Sequence, residues 1–274
     1  MLQKNDHRAL LLFAASFDAS GGLAKLIFVD VTSGDVHLRA MAHSTNRSVP
    51  WLRAFADPPP DECVCVLEAH AARLAAGDLI ASELIPGEPI TRSICLYPVR
   101  GPTVSSAITR GVRVVASALF VPEKVFAGED FYAYSVSFAL LSEDQQRAAW
   151  PSSAGPFRLT CQVQLTHRRW SISDASGEQK VVEGEGVVGE HPLLAAGAKP
   201  FVYSSCTPIR SSPGLMSGAF TFVEGSIARP SGGSFAALCS PFALMRPDSP
   251  VKTVGVGGGP TTSGSTADGP TKPL

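Results

Sequence analysis

The chain has no excess of either charge: 24 acidic and 23 basic side chains leave a formal net charge of −1. Nucleic-acid backbones are held by a basic domain or face, so no nucleic-acid partner is expected. Long apolar runs are also missing. The first apolar stretch, residues 9–15, is too short to cross a bilayer, and neither a secretory leader nor a membrane contact is expected. The six cysteines, Cys63, Cys65, Cys95, Cys161, Cys206 and Cys239, lack a disulfide-framework spacing. Scattered in apolar contexts, they predict buried reduced thiols and a cytoplasmic or nuclear protein. Cys63 and Cys65 have one residue between them and no second pair, which is poor zinc spacing. No G-x-S-x-G elbow frames Ser204, Ser205 or Ser212, and no carboxylate pair can be assigned to acid–base work. The expectation is a protein that is not an enzyme and carries no cofactor.

What is present is a chain with enough apolar residues, 45% of 274, for one large domain or two small ones. Residues 9–17, 25–31 and 36–39 read as strands, with turn signals at 18–22 and Ser33-Gly34-Asp35. Val64, Leu67, Ala71 and Leu74 recur at helical spacing between Asp61, a candidate N-cap, and Gly77, a stop signal. From Gly111 the texture is strands and turns: 111–121, 131–141, 158–166 continuing through 169–173, then 178–185, 201–206, 215–223 and 235–244. Leu159, Cys161, Val163 and Leu165 alternate with polar residues, the pattern of a half-buried antiparallel strand. About seven strands with turns between them predict a sandwich of two antiparallel sheets. Residues 142–156 read as a polar surface loop. The Gly-, Ser-, Thr- and Pro-rich residues 248–274 read as a disordered tail.

One motif asks for a decision. Gly184, Gly186 and Gly189 form a literal G-x-G-x-x-G. A dinucleotide fingerprint needs a helix after it, and the residues that follow, Glu190 to Gly197, are too short and too punctuated for one. Two readings stay open. The glycines bring backbone N–H groups to a pyrophosphate or nucleotide, with Arg168 and Arg169 as counter-charges. Alternatively they form a bulged strand and turn, the favoured reading, with His191 hydrogen-bonding the turn or exposed to solvent; His191 also stands among the candidate ligand- or partner-binding residues. Trp170 reads as a core anchor, as do Tyr203, Phe220 and Phe222. Arg210 sits in an exposed Pro-flanked loop, a second candidate contact for a protein partner.

The residues from Gly111 to about Met245 resemble an ApaG domain. Leu119-Phe120-Val121-Pro122-Glu123 is similar to the family's first strand end, and Tyr132 to Phe138 to its second strand. Residues 168–177, Arg-Arg-Trp-Ser-Ile-Ser-Asp-Ala-Ser-Gly, resemble its Trp strand and hairpin. Residues 184–194 resemble its glycine motif, and 201–223 with Phe242-Ala243-Leu244 complete the match. The resemblance implies an immunoglobulin- or fibronectin type III-like β-sandwich. The insertion at 142–156 and Ser204-Ser205-Cys206-Thr207-Pro208 resemble the eukaryotic branch, in which ApaG closes an F-box protein. Residues 64–79 and 93–98 resemble the end of the Smi–Knr-type domain that precedes ApaG there. No F-box pattern is found. The implied organisation is a partial α+β segment at 1–110, an ApaG sandwich at 111–247 and a tail at 248–274. The implied function is protein–protein interaction, recognising substrates for a ubiquitin ligase. Many relatives carry His before the Trp where this chain has Arg169, so a ligand role tied to that His does not carry over.

Overall fold

A computed structural model describes residues 10–17, 23–40, 49–50, 62–83, 92–121, 129–150 and 155–247. The candidate N-cap Asp61 and the expected tail lie outside these residues. Strands β1 (Leu10–Phe17), β2 (Leu23–Asp30), β3 (Val36–Ala40) and β4 (Val49–Pro50) form an antiparallel sheet in that order. Helix α1 (Glu62–Ala75) ends before Gly77, whose φ of +73° suits a left-handed C-terminal stop. Its periodic Val64, Leu67, Ala71 and Leu74 are exposed rather than packed. Two short strands, β5 (Ala81–Glu83) and β6 (Arg92–Ile94), pair beyond it.

The expected sandwich follows. One sheet has the order β13–β9–β8–β7, from β7 (Val104–Thr109), β8 (Val112–Phe120), β9 (Asp130–Leu140) and β13 (Phe201–Ile209). The other has the order β11–β10–β14–β15, from β10 (Gln162–Ser173), β11 (Gln179–Glu185), β14 (Gly214–Gly225) and β15 (Pro230–Leu244), with β12 (Leu193–Ala195) also on β10. All pairings are antiparallel. The boundary expected at Gly111 falls inside the β7–β8 hairpin, whose turn is Arg110-Gly111.

Alternation builds the core. On β9, Tyr132, Tyr134, Val136 and Phe138 point inward, while Ala133, Ser135 and Ser137 point out. Phe138 meets Phe220 edge-on at 4.6 Å, Phe220 meets Trp170 at 5.2 Å, and Trp170 meets Tyr134 at 5.6 Å. Such ring pairs add about 0.5–1.5 kcal/mol each beyond area burial. Trp170, Tyr203, Phe220 and Phe222 are therefore core residues, as expected.

The loop expected at 142–156 contains a short helix, α2 (Glu143–Ala148). Ser142 and Gln145 form its reciprocal capping box, which satisfies two N-terminal amides. Strand β10 starts later than its alternation predicts, at Gln162 instead of 158, and Cys161 is exposed. Among the four described cysteines only Cys239 is buried, against the expectation of buried thiols, because Cys206 falls on the outward parity of β13.

The outer face of the first sheet is covered by the segment before β7. The Ser117 hydroxyl donates to the Pro98 carbonyl at 2.7 Å, and Tyr97 lies against Ser204 and Cys206. Pro102 accepts from the Ala243 amide at 2.8 Å, and Thr109 Oγ1 from the Leu238 amide at 3.2 Å, so β7 and β15 close one side of the sandwich.

Candidate functional site

The glycine motif is an excursion in an edge strand. β11 runs beside β10, and Gly186 N–H still donates to Thr166 C=O at 2.8 Å. The chain then leaves, and rejoins β10 where Leu165 N–H donates to Pro192 C=O at 3.0 Å. In between, Val187 and Glu190 exchange both backbone hydrogen bonds, at 2.9 and 2.8 Å. The two residues they enclose, Val188 and Gly189, have φ of +46° and +82°, as a type I′ turn requires. Gly186, at φ +54°, allows the tight approach: a Cβ there would overlap the Glu190 carbonyl oxygen. The amides of Gly186, Val187 and Glu190 are thus committed to backbone carbonyls, and β12 rather than a helix follows the motif.

Arg168 reaches this loop because of a bulge. The β10–β14 register shifts between Leu165 and His167. Residues 163 and 165 face the core before the shift, and 168, 170 and 172 after it. Arg168 therefore points inward on the same face as Trp170. Its guanidinium turns toward the loop and donates to the carbonyls of Glu185 at 2.9 Å and Gly186 at 2.7 Å. Its partner across the ladder is Gly184, where an added Cβ would stand 3.1 Å from the guanidinium nitrogens. The missing side chain is what lets Arg168 pass. His191 Nδ1 lies 3.1 Å from Leu165 C=O, and the residue is exposed, so both roles read from the sequence meet in it.

Gly184, Gly186, Gly189, Arg168 and His191 thus come together at one end of the sandwich. Arg169 does not join them. It is on the outer face, paired with Glu183 at 2.8 Å. Arg210 lies at the other end, 3.1 Å from Glu178 and 3.6 Å from Glu129. There Asp130 accepts two bonds from Arg246, at 2.6 and 3.1 Å, and one from Ser212 at 2.7 Å. Ser212 also meets the Tyr132 hydroxyl at 2.5 Å, and burial pushes the Tyr132 phenol up to about 12.

Two residues beside the glycine loop escape sequence reading. The Gln164 side chain donates to His191 C=O at 2.9 Å and accepts from Ile227 N–H at 2.8 Å, clipping the glycine loop to the β14–β15 turn. Around this clip Val188, Leu193 and Ile227 are exposed by 58%, 47% and 49%. Leu194 and Met216 are buried, while Leu193 is presented. The signal for Val188 was a β-branched residue before Gly in a two-residue turn. Gln164 had none, because its role depends on loops far along the chain.

Among the described residues, no group of His, Cys, Asp and Glu is arranged to hold a metal ion, and no helix is long and apolar enough to cross a membrane.

Comparison with known proteins bears on this architecture. The ApaG domain profile matches residues 126–224. F-box protein SKIP16 of Arabidopsis thaliana is 31% identical over 249 residues, which cover 87% of this chain. The chain spans about half of that relative, 54% of its length. Protein ApaG of Bradyrhizobium diazoefficiens is 34% identical over 142 residues, 52% of this chain and 93% of the bacterial protein. The crystal structure of an ApaA protein from Bordetella pertussis aligns at a TM-score of 0.40 and 25% identity, over 53% of this chain and 98% of that one. A bacterial ApaG matched nearly end to end, together with a domain profile that spans the Trp strand and the glycine turn, shows that the chain belongs to the ApaG family.

Proposed function

We propose that the sandwich is a non-enzymatic protein-recognition module, acting as the substrate-binding part of an F-box-type ubiquitin-ligase adaptor in the cytoplasm or nucleus. The observation that carries this reading is Val188. A β-branched side chain at positive φ is strained by about 1–3 kcal/mol, and strain of this kind persists where surrounding structure imposes it and function uses it. Here it holds an apolar side chain outward at the tip of a turn that Arg168 and Gln164 fix from both sides. A rigid scaffold presenting apolar loop residues suits partner binding. The kinship with an F-box protein supports the adaptor role.

The test is affinity capture from cell extract with the full chain and Val188→Asp, which keeps a turn-compatible residue and removes the apolar tip. Capture of a specific partner that the variant loses is expected, with the partner's ubiquitin load falling when the protein is depleted. Equal capture by both forms sinks the recognition surface; an unchanged ubiquitin load sinks the adaptor role. Calorimetry with millimolar pyrophosphate or ATP is expected to be flat, because the loop amides are occupied by backbone carbonyls. A saturable heat that Gly186→Val abolishes would restore the anion reading.

A further inference from the structure

The outer face of the second sheet carries a hollow of about 400 Å³ that lies away from the glycine loop. Its edge is a departure from a regular ladder. The β14–β15 register jumps from Met216↔Phe242 to Gly218↔Cys239, so Ser217 alone faces Ser240 and Pro241. Such a bulge can hold a proline, since the extra residue makes no ladder bond. Beside it Ala219, opposite Arg169, has only a methyl group on the outer face, while Gly218 pairs with Trp170, where an added Cβ would point to the core side and crowd the indole. The dip is floored by Gly218 and Ala219 and walled by Ser171, Leu238 and Pro241. Leu238 on its wall is 57% exposed, and Val181 and Leu215 on the same outer face are 52% and 46% exposed.

Arg169 is the single charged residue lining this hollow. Its ion pair with Glu183 has both side chains more than half exposed, the class of salt bridge that contributes little and exchanges readily. A carboxylate arriving at the hollow can take the place of Glu183 on the guanidinium, with bidentate geometry available. The other sheet shows how this molecule treats such a face: its serine-rich surface is covered by the segment through Tyr97 and Pro98, with a serine hydroxyl donating to a backbone carbonyl. The second sheet offers Ser171, Ser217 and Ser240 for the same kind of bond.

We propose that this hollow binds an extended acidic–apolar peptide segment, one apolar side chain filling the dip and a neighbouring carboxylate engaging Arg169. The inference rests on the recognition-module reading and names the chemistry of its partner. The probes are 3-phenylpropionate and 3-phenylpropylamine, which share an apolar body and differ in charge. Nuclear magnetic resonance titration of the full chain should give saturable shifts at the Ser171, Ser217, Ala219 and Leu238 amides, with a Kd for the acid of about 1 mM. The amine should bind at least about threefold more weakly. Ala219→Leu, which fills the dip, should abolish the shifts. Arg169→Gln, a surface change that leaves the fold intact, should make acid and amine equal. No saturable shift up to about 10 mM, equal affinity for both probes on the unaltered chain, or an unchanged preference in Arg169→Gln would each overturn the proposal. If these fail while partner capture is lost in Val188→Asp, the module reading stands without the hollow. If probe binding succeeds while no partner is captured, the hollow stands as a site and the adaptor reading falls.

Discussion

Val188 shows how much one residue can disclose. A type I′ turn favours Asn or Gly at its first central position, because the left-handed region costs a branched side chain most. Val188→Asn should therefore stabilise the protein by about 1 kcal/mol, raising Tm by about 2–4 °C in a thermal melt. A lower Tm would mean that the Val188 side chain packs favourably where it stands. Gly186 gives the opposite expectation. Gly186→Ala would collide with the Glu190 carbonyl and adopt positive φ, so a loss of at least about 2 kcal/mol is expected in denaturant unfolding. The sequence made these glycines visible but not their separate reasons. Gly184 clears a path for Arg168, Gly186 admits a carbonyl and Gly189 completes the turn. Only the pairing of Gly184 with Arg168 across the ladder distinguishes the first from the others.

At the level of strands, alternation carried most of the information. β8, β9 and β14 follow it closely, since one face of each is buried against the opposite sheet. β10 departs from simple alternation because its parity changes at the Thr166 bulge, so strand parity alone does not place Trp170 on the core face. β12 is three residues long and has no pattern of its own; it exists because β10 has an unpaired flank after the glycine excursion. The α2 capping box was readable as Ser142-x-x-Gln145, but six helical residues among Pro and Gly resemble a loop. Strand ends are joined by polar contacts that no local pattern announces. The Asp130–Arg246 pair ties the end of the last strand to the start of β9, with Arg246 also stacked over Phe120 at 5.0 Å. Asp130→Asn or Arg246→Gln should each cost about 2–3 kcal/mol, and the double variant should cost less than their sum. Additive losses in a double-mutant cycle would show that the two side chains act independently.

For the molecule as a whole, burial sets the response to alkali. Burial pushes the Cys239 thiol up from 9.0 to about 12, a rise that its contact with Ser105 opposes, and moves the Tyr132 phenol from 10.0 to about 12. Both groups stay neutral in the folded chain and ionise more easily once unfolded. Their contribution is complete below pH 9 and is lost as pH rises through the window to about 12. Melting temperatures should therefore fall across that window, and Cys239→Ala should flatten its first part. An unchanged slope in the variant would locate the alkaline sensitivity elsewhere. The two-sheet architecture was legible because each sheet repeats a short-range pattern. The covering of the first sheet by residues 97–103 was not, since it depends on contacts between irregular chain and strands over a hundred residues away. Removing residues 1–103 should raise deuterium uptake in β8 and β13, while β10 keeps its protection. Gln146 is a buried residue of α2. Its side chain donates to Leu141 C=O at 2.7 Å and Thr160 C=O at 2.8 Å and accepts from Thr160 N–H at 3.0 Å. One amide thus pins the two ends of the α2 segment together. The sheets are insulated from whatever length lies between those ends, so this is the place where an evolving gene can lengthen the protein, or an engineer can graft a reporter, without disturbing the sandwich.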